Sequence, residues 1–285
     1  MHEINIFHET MRGDGISLHV ARAGEGTPIV LLHGFPENWR SWRHQMAALA
    51  EAGYSVFAPD LRGYNQSERP RDRSDYHLRH LVEDVAALVR TTGRAHVAGH
   101  DWGGIIAWTF AGAHPELLDK LVILNAPHLQ LYLKKILRPP QMFRSWYVLL
   151  FQIPGLAERV LAAGKFAAIR HMFRRGPARK GAFSEAEIAM AVEALAQPGA
   201  LTAGLNYYRA LRLPGAEQMA VRARTDAETL VLWGDRDPAL GTNLLEGIER
   251  LAPRAHVVRF PDVSHWIQNE APAEVNRVLL EFLRS

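Results

Sequence analysis

The pentapeptide Gly99-His100-Asp101-Trp102-Gly103 constrains the fold of this chain more than any other stretch. It follows a short apolar run, residues 95–98, and precedes a segment, residues 104–114, with the pattern of a helix. Glycines two positions before and after the central residue allow a sharp strand-to-helix turn that holds this residue outward in a strained conformation. The central residue is an aspartate, so the turn presents a carboxylate. The alternative is a buried aspartate that caps the following helix.

Apolar runs alternate with helix-like segments along most of the chain. The runs predict strands at residues 28–32, 54–58, 95–98, 120–124, 228–233 and 255–260, preceded by two strands at residues 4–9 and 16–23. The first run is a continuous apolar stretch of the kind found in strands buried on both faces, and the second is interpreted as another buried strand. Helices are predicted at residues 41–52, 75–89, 242–252 and 272–283. In the second of them, apolar residues recur at spacings of three and four. This alternation predicts an α/β protein with a mainly parallel sheet and helices on both faces.

The alternation stops at Asn125-Ala126-Pro127 and resumes only after residue 222. The intervening residues, 128–222, contain helical segments separated by pairs of Pro and Gly, and no run typical of a buried strand. Ser184 and Glu187 have the spacing of a capping box at the start of one of these helices. We therefore predict a core formed by residues 1–127 and 223–285, with residues 128–222 inserted as a helical block.

Composition and charge argue against several classes of protein. The 285 residues include no cysteine, which excludes disulfides and is consistent with a cytoplasmic protein. The N-terminus lacks the pattern of a signal peptide, and the longest apolar run, residues 146–153, is far shorter than a membrane span, so no integral membrane segment is expected. Residues 128–183 contain eleven Lys or Arg and one acid. We interpret them as a solvated helix face, because no nucleic-acid-binding motif accompanies them.

Four of the predicted strands end in residues suited to catalysis. His33-Gly34-Phe35-Pro36, Asp101, the pair Asp235 and Asp237, and His265 each follow one of these strands. The carboxyl ends of parallel strands meet at one edge of a sheet, where ligands bind. A nucleophile, an acid and a histidine in this chain order are typical of the α/β-hydrolase fold. Either of the two later aspartates could instead cap the following helix.

The motifs at these positions resemble those of the soluble epoxide hydrolase family of α/β-hydrolases. The resemblance spans nearly the whole chain and rests on His33-Gly34-Phe35-Pro36-Glu37, Gly99-His100-Asp101-Trp102-Gly103-Gly104, Asn206-Tyr207-Tyr208-Arg209 and His265-Trp266. Weaker matches are Asp60-Leu61-Arg62-Gly63-Tyr64 and Phe151-Gln152 with Pro154-Gly155. The resemblance implies an α/β-hydrolase core in which the inserted helical block forms a lid over the site.

The resemblance also implies roles for three residues. Asp101 is expected to attack an epoxide carbon and form a covalent ester, and His265, oriented by Asp237, to activate the water that hydrolyses this ester. Asp237 is preferred to Asp235 because the family places its acid three residues after the glycine, here Gly234. A serine attacking an sp³ carbon would leave an ether that water does not readily cleave, whereas an aspartate leaves an ester and is already ionised at neutral pH.

Two tyrosines of the lid are expected to protonate the oxygen released by ring opening, because the family uses a pair of phenols for this step. Tyr208 matches one of them, and Tyr147 is the best candidate for the other. Trp146 and Tyr132 are weaker substitutes for Tyr147, and Tyr207 is assigned to packing. A phenol has an ordinary pKa of about 10, so it remains protonated and can donate at neutral pH.

Backbone groups and aromatic side chains complete the expected site. By resemblance, the N–H groups of Phe35 and Trp102 form an oxyanion hole, and the peptide bond before Pro36 is a candidate for the cis form. Trp39 and Trp266 are expected to join Phe35 and Trp102 in an apolar wall, which suits a lipophilic substrate.

Glu37 is expected to help position the hydrolytic water, and His100 is assigned to the same pocket. No metal or cofactor is expected, since the sequence has no metal cluster or phosphate loop, and Gly24-Glu25-Gly26 lacks the third glycine of a dinucleotide fingerprint. The expected partners are a small lipophilic epoxide, such as a styrene-oxide-like compound, and water. The chain is expected to be a monomer or homodimer that binds no nucleic acid.

Three other functions remain open. Haloalkane dehalogenases share the aspartate and the following tryptophan but hold a halide, so the two tyrosines argue against this class. Haloacetate dehalogenases place arginines just after the nucleophile, where this chain has Trp102 and Ile105. A non-catalytic ligand-binding protein on the same fold would not need an acid, a histidine and two phenols. Release of a diol or of chloride distinguishes these functions.

Overall fold

The apolar runs of the sequence form strands of one sheet, and all but the last run, residues 255–260, lie in its interior. The structure is a computed structural model that describes residues 4–214 and 224–285. Eight strands within these residues are arranged in the spatial order β1-β2-β4-β3-β5-β6-β7-β8. Their bounds are β1 Phe7–Arg12, β2 Ser17–Ala23, β3 Thr27–Leu32, β4 Tyr54–Pro59, β5 Ala95–His100, β6 Leu118–Leu124, β7 Glu228–Gly234 and β8 Ala255–Phe260. Strands β1 and β2 pair antiparallel, β2 also pairs antiparallel with β4, and the remaining pairs are parallel. The predicted α/β fold with a mainly parallel sheet is confirmed.

Helices cover both faces of the sheet. Those outside the segment between β6 and β7 are α1 Arg43–Glu51, α2 Leu78–Arg90, α3 Trp102–Ala113, and, after the sheet, α10 Ile267–Glu270 and α11 Pro272–Arg284. Apolar residues of α2 and α3 belong to one buried cluster, and those of α1 and α11 belong to a second cluster. The central strands β4 and β5 are buried along their whole length, because they lie between these two layers.

In the segment between β6 and β7, the regular elements that the structure describes are all helices, joined by turns and loops. Its helices are α4 Leu129–Lys135, α5 Gln141–Arg144, α6 Trp146–Phe151, α7 Leu156–Arg175, α8 Glu185–Ala196 and α9 Ala200–Ala210. Helix α7 is interrupted at residues 163–166, where the backbone leaves the right-handed helical region. The capping box of Ser184 and Glu187 is present at the start of α8. Residues 215–222 of the predicted insertion, residue 223 of the predicted core and residues 1–3 lie outside the described residues.

Two elements differ from the sequence prediction. The helix expected at residues 242–252 is instead two short 3₁₀ turns, Thr242–Leu245 and Ile248–Arg250. Gly247 separates them with a φ of 92°, a left-handed conformation that an α-helix cannot contain. The first strand begins at Phe7 rather than at residue 4, because its register is set by the hairpin with β2, in which Arg12 lies opposite Ser17.

Within the described ranges, no single helix is long and apolar enough to cross a membrane. One bent pair, Glu185–Ala196 with Ala200–Ala210, reaches the required length and composition only when its two helices are taken together.

Candidate active site

Asp101 occupies a tight turn between β5 and α3. Its backbone has φ 51° and ψ −120°, which is unusual for a residue with a side chain and is typical of functional turns. The turn closes only because its neighbours lack side chains: a Cβ on Gly99 would overlap the backbone of Gly103, and a Cβ on Gly103 would overlap the carbonyl of Leu32. The sequence GHDWG therefore folds as the sharp strand-to-helix turn that its glycine spacing predicts.

The carboxylate of Asp101 points away from the helix that it precedes. Asp101 is the N-cap residue of α3, yet its side chain makes no capping hydrogen bond. Instead, its Oδ1 accepts a hydrogen bond from the backbone N–H of Phe35 at 2.9 Å. The side chain is 15% exposed. The alternative of a buried helix cap is therefore wrong, and the carboxylate remains accessible to a ligand.

His265 and Asp237 lie beside this carboxylate. The Nδ1 atom of His265 is 2.7 Å from Oδ2 of Asp237, and its Nε2 atom is 3.7 Å from Oδ2 of Asp101. The carboxylate of Asp237 is completely buried. Its Oδ1 accepts hydrogen bonds from the N–H groups of Ala239 and Leu240, at 2.7 and 2.9 Å. Asp237 thus orients the imidazole toward Asp101.

Asp235 has a different environment, which decides between the two candidate acids. Both of its carboxylate oxygens accept hydrogen bonds from the guanidinium of Arg259, at 2.8 Å, on the surface of the protein. Asp237, by contrast, is the aspartate that contacts His265.

Asn125 is a member of the site that the sequence analysis did not identify. Its Nδ2 donates to Oδ2 of Asp237 at 2.9 Å, and its Oδ1 accepts from the N–H of Gly234 at 2.8 Å. Asn125 thereby joins the ends of β6 and β7 and supplies a further donor to the buried carboxylate. Its position directly after a buried strand was the available signal, because the same criterion selected Asp101 and His265.

The charges of the site shift the pKa values of Asp237 and His265. Burial raises the pKa of Asp237, but the charge and hydrogen bond of His265 outweigh burial, and the pKa lies below its ordinary value. Burial lowers the pKa of His265, but the carboxylates of Asp237, Asp101 and Glu37 outweigh burial and raise it to about 9. The imidazole of the free protein therefore holds a proton at neutral pH.

Glu37 and His100 form a second buried pair next to His265. The Nε2 atom of His100 donates to the backbone carbonyl of His265 at 3.0 Å, since a carbonyl oxygen can only accept. The Nδ1 atom of His100 lies 3.2 Å from Oε2 of Glu37, and Ser41 donates to Oε1 of Glu37 at 2.7 Å. Burial raises the pKa of Glu37, but its contacts with His100 and Ser41 lower it below its ordinary value, so it is ionised at neutral pH.

Asp101 lies where two cavities meet, and Tyr147 and Tyr208 line both of them. One cavity has a volume of about 440 Å³ and also contacts His265. The other has a volume of about 720 Å³ and extends toward α4 and Pro214. The rings of the two tyrosines stand 6.3 Å apart in an edge-to-face arrangement. Burial is the main cause that raises the pKa of both phenols well above 10, so both remain protonated donors.

The other tyrosines near the site are engaged elsewhere. Tyr207 donates its hydroxyl to the carbonyl of Arg62 at 2.8 Å and is almost completely buried, which is the environment of a packing residue. Tyr132 lines the larger cavity, but its hydroxyl is 3.1 Å from the hydroxyl of Ser145. Trp146 lines the smaller cavity and is largely exposed. None of these three residues lines both cavities, whereas Tyr147 lines both together with Asp101 and Tyr208.

Arg209 explains why the tyrosine motif ends in a basic residue. Its buried guanidinium donates to the carbonyl of Phe151 at 2.8 Å and forms an ion pair with Glu158 at 2.7 Å. Gln152 adds a hydrogen bond to the carbonyl of Tyr208 at 3.2 Å. These contacts hold α9, which carries Tyr208, against α6, which carries Tyr147.

The expected apolar wall is present except for Trp39. Phe35 and Trp266 line the smaller cavity, and Trp102 lines the larger one. The peptide bond between Phe35 and Pro36 is cis. Trp39 lines neither of these cavities and belongs to the apolar cluster on the other face of the sheet. The guanidinium of Arg40 lies over its ring, and its backbone N–H donates to Oδ1 of Asp60. Its assignment to the substrate pocket was wrong, because its side chain packs in that cluster and not against either cavity.

The described residues contain no group of three or more His, Asp or Glu side chains arranged to hold a metal ion.

Comparison with known proteins places this site in a family. A sheet of this order, with a carboxylate at the turn after β5 and a histidine–aspartate pair at the ends of β7 and β8, defines an α/β-hydrolase, and the family model for the alpha/beta hydrolase fold matches residues 27–272. Epoxide hydrolase 3 of Xenopus tropicalis is 36% identical to the chain, over 96% of this chain and 76% of the relative. The chain belongs to the epoxide hydrolase family of α/β-hydrolases.

Two further matches cover nearly complete chains. The AB hydrolase superfamily protein YfhM of Bacillus subtilis is 40% identical, over 95% of this chain and 96% of the relative. The crystal structure of an epoxide hydrolase from Vigna radiata is 32% identical and superposes with a TM-score of 0.86, over 98% of each chain. The chain is thus similar both to a protein named for its superfamily and to proteins named as epoxide hydrolases.

Proposed function

We propose that this protein hydrolyses epoxides to vicinal diols through a covalent ester on Asp101. The observation that carries the proposal is the junction of the two cavities, where Asp101 faces His265 on one side and shares its surroundings with two protonated phenols, Tyr147 and Tyr208. An epoxide needs a nucleophile on one ring carbon and an acid on the ring oxygen, and these residues supply both.

In the first step, a carboxylate oxygen of Asp101 attacks a ring carbon and the bond from that carbon to the ring oxygen breaks. The released oxygen takes a proton from Tyr147 or Tyr208 and becomes a hydroxyl group. The N–H of Phe35 already donates to Oδ1 of Asp101, which leaves Oδ2 as the attacking atom. No metal or cofactor enters this step.

In the second step, water attacks the ester carbonyl of Asp101. His265 accepts one proton of the water, and the N–H groups of Phe35 and Trp102 stabilise the oxyanion. Trp102 is the first residue of α3, so its N–H has no acceptor within the helix. Collapse of the intermediate moves its hydroxyl proton to the departing oxygen, which releases the diol and restores the carboxylate. His265 keeps the proton taken from water and is again protonated, as in the free protein.

The charges of the site support this order of events. In the free protein, His265 has a pKa of about 9, partly because of the charge of Asp101, and is therefore a poor base. Formation of the ester removes that charge, so the pKa of His265 falls and its proton passes to the tyrosinate left by ring opening. The neutral imidazole can then accept a proton from water. Glu37, ionised and close to His100, is suited to hold this water in place.

The helical segment is proposed to act as a lid. Helices α6 and α9 carry the two phenols, and their side chains line the cavities above Asp101. Both cavities are lined mainly by apolar side chains, which favours lipophilic substrates. A related epoxide hydrolase from Bacillus megaterium, 28% identical with a TM-score of 0.84 over 97% of this chain and all of the relative, was crystallised with the diol (R)-3-[1]naphthyloxy-propane-1,2-diol. Aryl epoxides are therefore suitable first substrates.

The test is a panel of epoxides and chloroalkanes, assayed for diol and chloride release, followed by one turnover in H₂¹⁸O. We expect diol from styrene oxide and aryl glycidyl ethers. In the first turnover, ¹⁸O should enter the carboxylate of Asp101, and the diol should contain oxygen from the protein. Chloride release without diol formation would identify a dehalogenase, and bound ligand without turnover would identify a binding protein. Label that appears directly in the first diol would exclude the ester.

A further inference from the structure

We propose that the outer face of the lid docks on membranes containing anionic phospholipid. The docking face is defined by eight exposed apolar residues: Leu137, Met142, Phe143, Trp146, Leu149, Ile153, Leu156 and Val160. Large apolar side chains this exposed are normal when scattered, but eight of them concentrated within residues 137–160 indicate a surface that another molecule covers. Of the large apolar side chains found exposed in the described residues, only Phe7 and Met190 lie outside this segment.

The need to line the cavities does not explain why the outer side of helix α6 is apolar. Its sequence, WYVLLF, has no polar residue apart from the phenol of Tyr147. Tyr147 and Phe151 face the site, whereas Trp146 and Leu149 point outward and are 64% and 70% exposed. A helix that covers a cavity on one side and meets water on the other normally has a polar outer side. An apolar outer side is typical of helices that lie in a membrane interface.

The charge of the chain segment that contains the docking face favours an anionic partner. Of the eleven Lys and Arg in residues 128–183, Lys135, Arg174 and Arg179 form ion pairs, and the other eight form none with any described residue. The single acid, Glu158, is paired with Arg209. A second copy of the chain is a poor partner, because a two-fold interface would bring the same unpaired cations together. A bilayer with anionic headgroups accepts both the apolar residues and the cations.

The docking face is continuous with the openings of both cavities. Leu137 and Leu149 line the larger cavity, and Trp146 and Val160 line the smaller one. A lipophilic molecule dissolved in the bilayer would therefore reach the site without crossing water. The docking itself depends only on the surface and does not require the proposed epoxide hydrolysis.

The test is co-sedimentation of the full chain with vesicles of phosphatidylcholine alone or mixed with phosphatidylglycerol. We expect binding to the mixed vesicles at low salt, with loss at high salt. The double variant Phe143→Ser/Ile153→Ser, which changes no cavity residue, and the variant Lys134→Glu/Arg138→Glu should each bind about tenfold more weakly. The matched controls Phe7→Ser and Arg71→Glu, at exposed positions outside the lid, should bind as the wild type does. Circular dichroism checks that every variant is folded.

Three results would overturn the proposal. One is wild-type protein that stays in the supernatant with the mixed vesicles at low salt. Another is equal weakening by Phe7→Ser and by the Phe143/Ile153 variant. The third is sedimentation equilibrium that shows a dimer broken by the Phe143/Ile153 change, without vesicle binding, which would assign the face to a second copy of the chain. None of these readouts depends on epoxide turnover, so docking and the proposed activity fail separately.

Discussion

The Nε2 atom of His265 lies 3.7 Å from Oδ2 of Asp101, while its Nδ1 atom is hydrogen-bonded to Asp237 at 2.7 Å. The imidazole is thus fixed on one side and separated from Asp101 on the other. This gap suits a histidine that acts on water after Asp101 has been esterified, and it does not suit one that must deprotonate the nucleophile.

Replacing His265 should separate the two proposed steps. The variant His265→Gln retains Asp101 and both phenols, so the ester should form at a rate within about tenfold of the wild type. Its hydrolysis should slow by about 10²- to 10⁴-fold, because the general base is lost. Intact-protein mass spectrometry should then show an adduct equal to the mass of the epoxide, located on Asp101. The double variant His265→Gln/Asp101→Asn is the control and should form no adduct. An adduct on any other residue would refute the nucleophile.

The charge of Asp101 should control the pKa of His265. Asp101→Asn imitates the neutral ester, so the pKa of His265 should fall below the value of about 9 in the wild type. Titration of the imidazole by ¹⁵N NMR measures the change directly. An unchanged titration would contradict the proposed switch from acid to base.

The same pKa predicts how stability depends on pH. Because the folded-state pKa of His265 is raised from 6.5, proton binding by His265 stabilises the fold below pH 6.5, and this contribution is lost as the pH rises through about 9. The loss should occur at lower pH in Asp101→Asn. Urea unfolding of the wild type and of Asp101→Asn from pH 6 to pH 10 tests this. If the free energy of unfolding had the same pH dependence in both proteins, the prediction would be wrong.

The rate of ester formation should depend on Tyr147 and Tyr208 but not on their neighbour Tyr207. Tyr147→Phe and Tyr208→Phe should each lower the rate of ester formation by about 10²-fold, because one proton donor is lost. Tyr207→Phe is the matched control: it removes the hydrogen bond to Arg62 and should cost about 1 kcal/mol of stability without slowing ester formation. Stopped-flow measurement of tryptophan fluorescence gives the rate, and an equal loss in all three variants would exclude a specific role.

Asn125 should support the site through Asp237. Asn125→Ala removes a donor from the buried carboxylate and leaves the N–H of Gly234 without its acceptor, so the free energy of unfolding should fall by about 1–3 kcal/mol and kcat should fall with it. Asp235→Asn breaks only the surface pair with Arg259 and should cost less than about 1 kcal/mol. Urea unfolding and steady-state kinetics compare the two variants, and equal effects would show that Asn125 has no special position.

The positions of Asp101, Asp237 and His265 were predictable because the ends of parallel strands share one edge. That rule needs only the apolar runs and the residues that follow them. The contacts of Glu37 with His100 were not predictable, since they depend on how the chain turns after β3. Trp39 lies only two residues beyond Glu37, but its side chain packs in the apolar cluster of α1 and α11, which the sequence did not reveal.

Local conformation also limited the prediction. The helix expected at residues 242–252 has suitable apolar spacing, but Gly247 adopts a left-handed conformation that spacing does not reveal. The turn at Asp101 was predictable from the spacing of its two glycines, and the structure shows that close backbone contacts require both of them. A glycine that permits a conformation and one that is required by a neighbour look alike in a single sequence.

The meeting of the two cavities at Asp101 has a stereochemical consequence. The cavity that accepts the larger substituent decides which ring carbon faces the carboxylate. Suppose that the two enantiomers of a monosubstituted epoxide place that substituent in different cavities. One enantiomer is then attacked at the unsubstituted carbon and keeps its configuration, whereas the other is attacked at the substituted carbon and is inverted. Both enantiomers then give the same enantiomer of the diol. The handedness of the product would be set by the shapes of the cavities that the lid lines, while the acid, the histidine and the nucleophile remain the same.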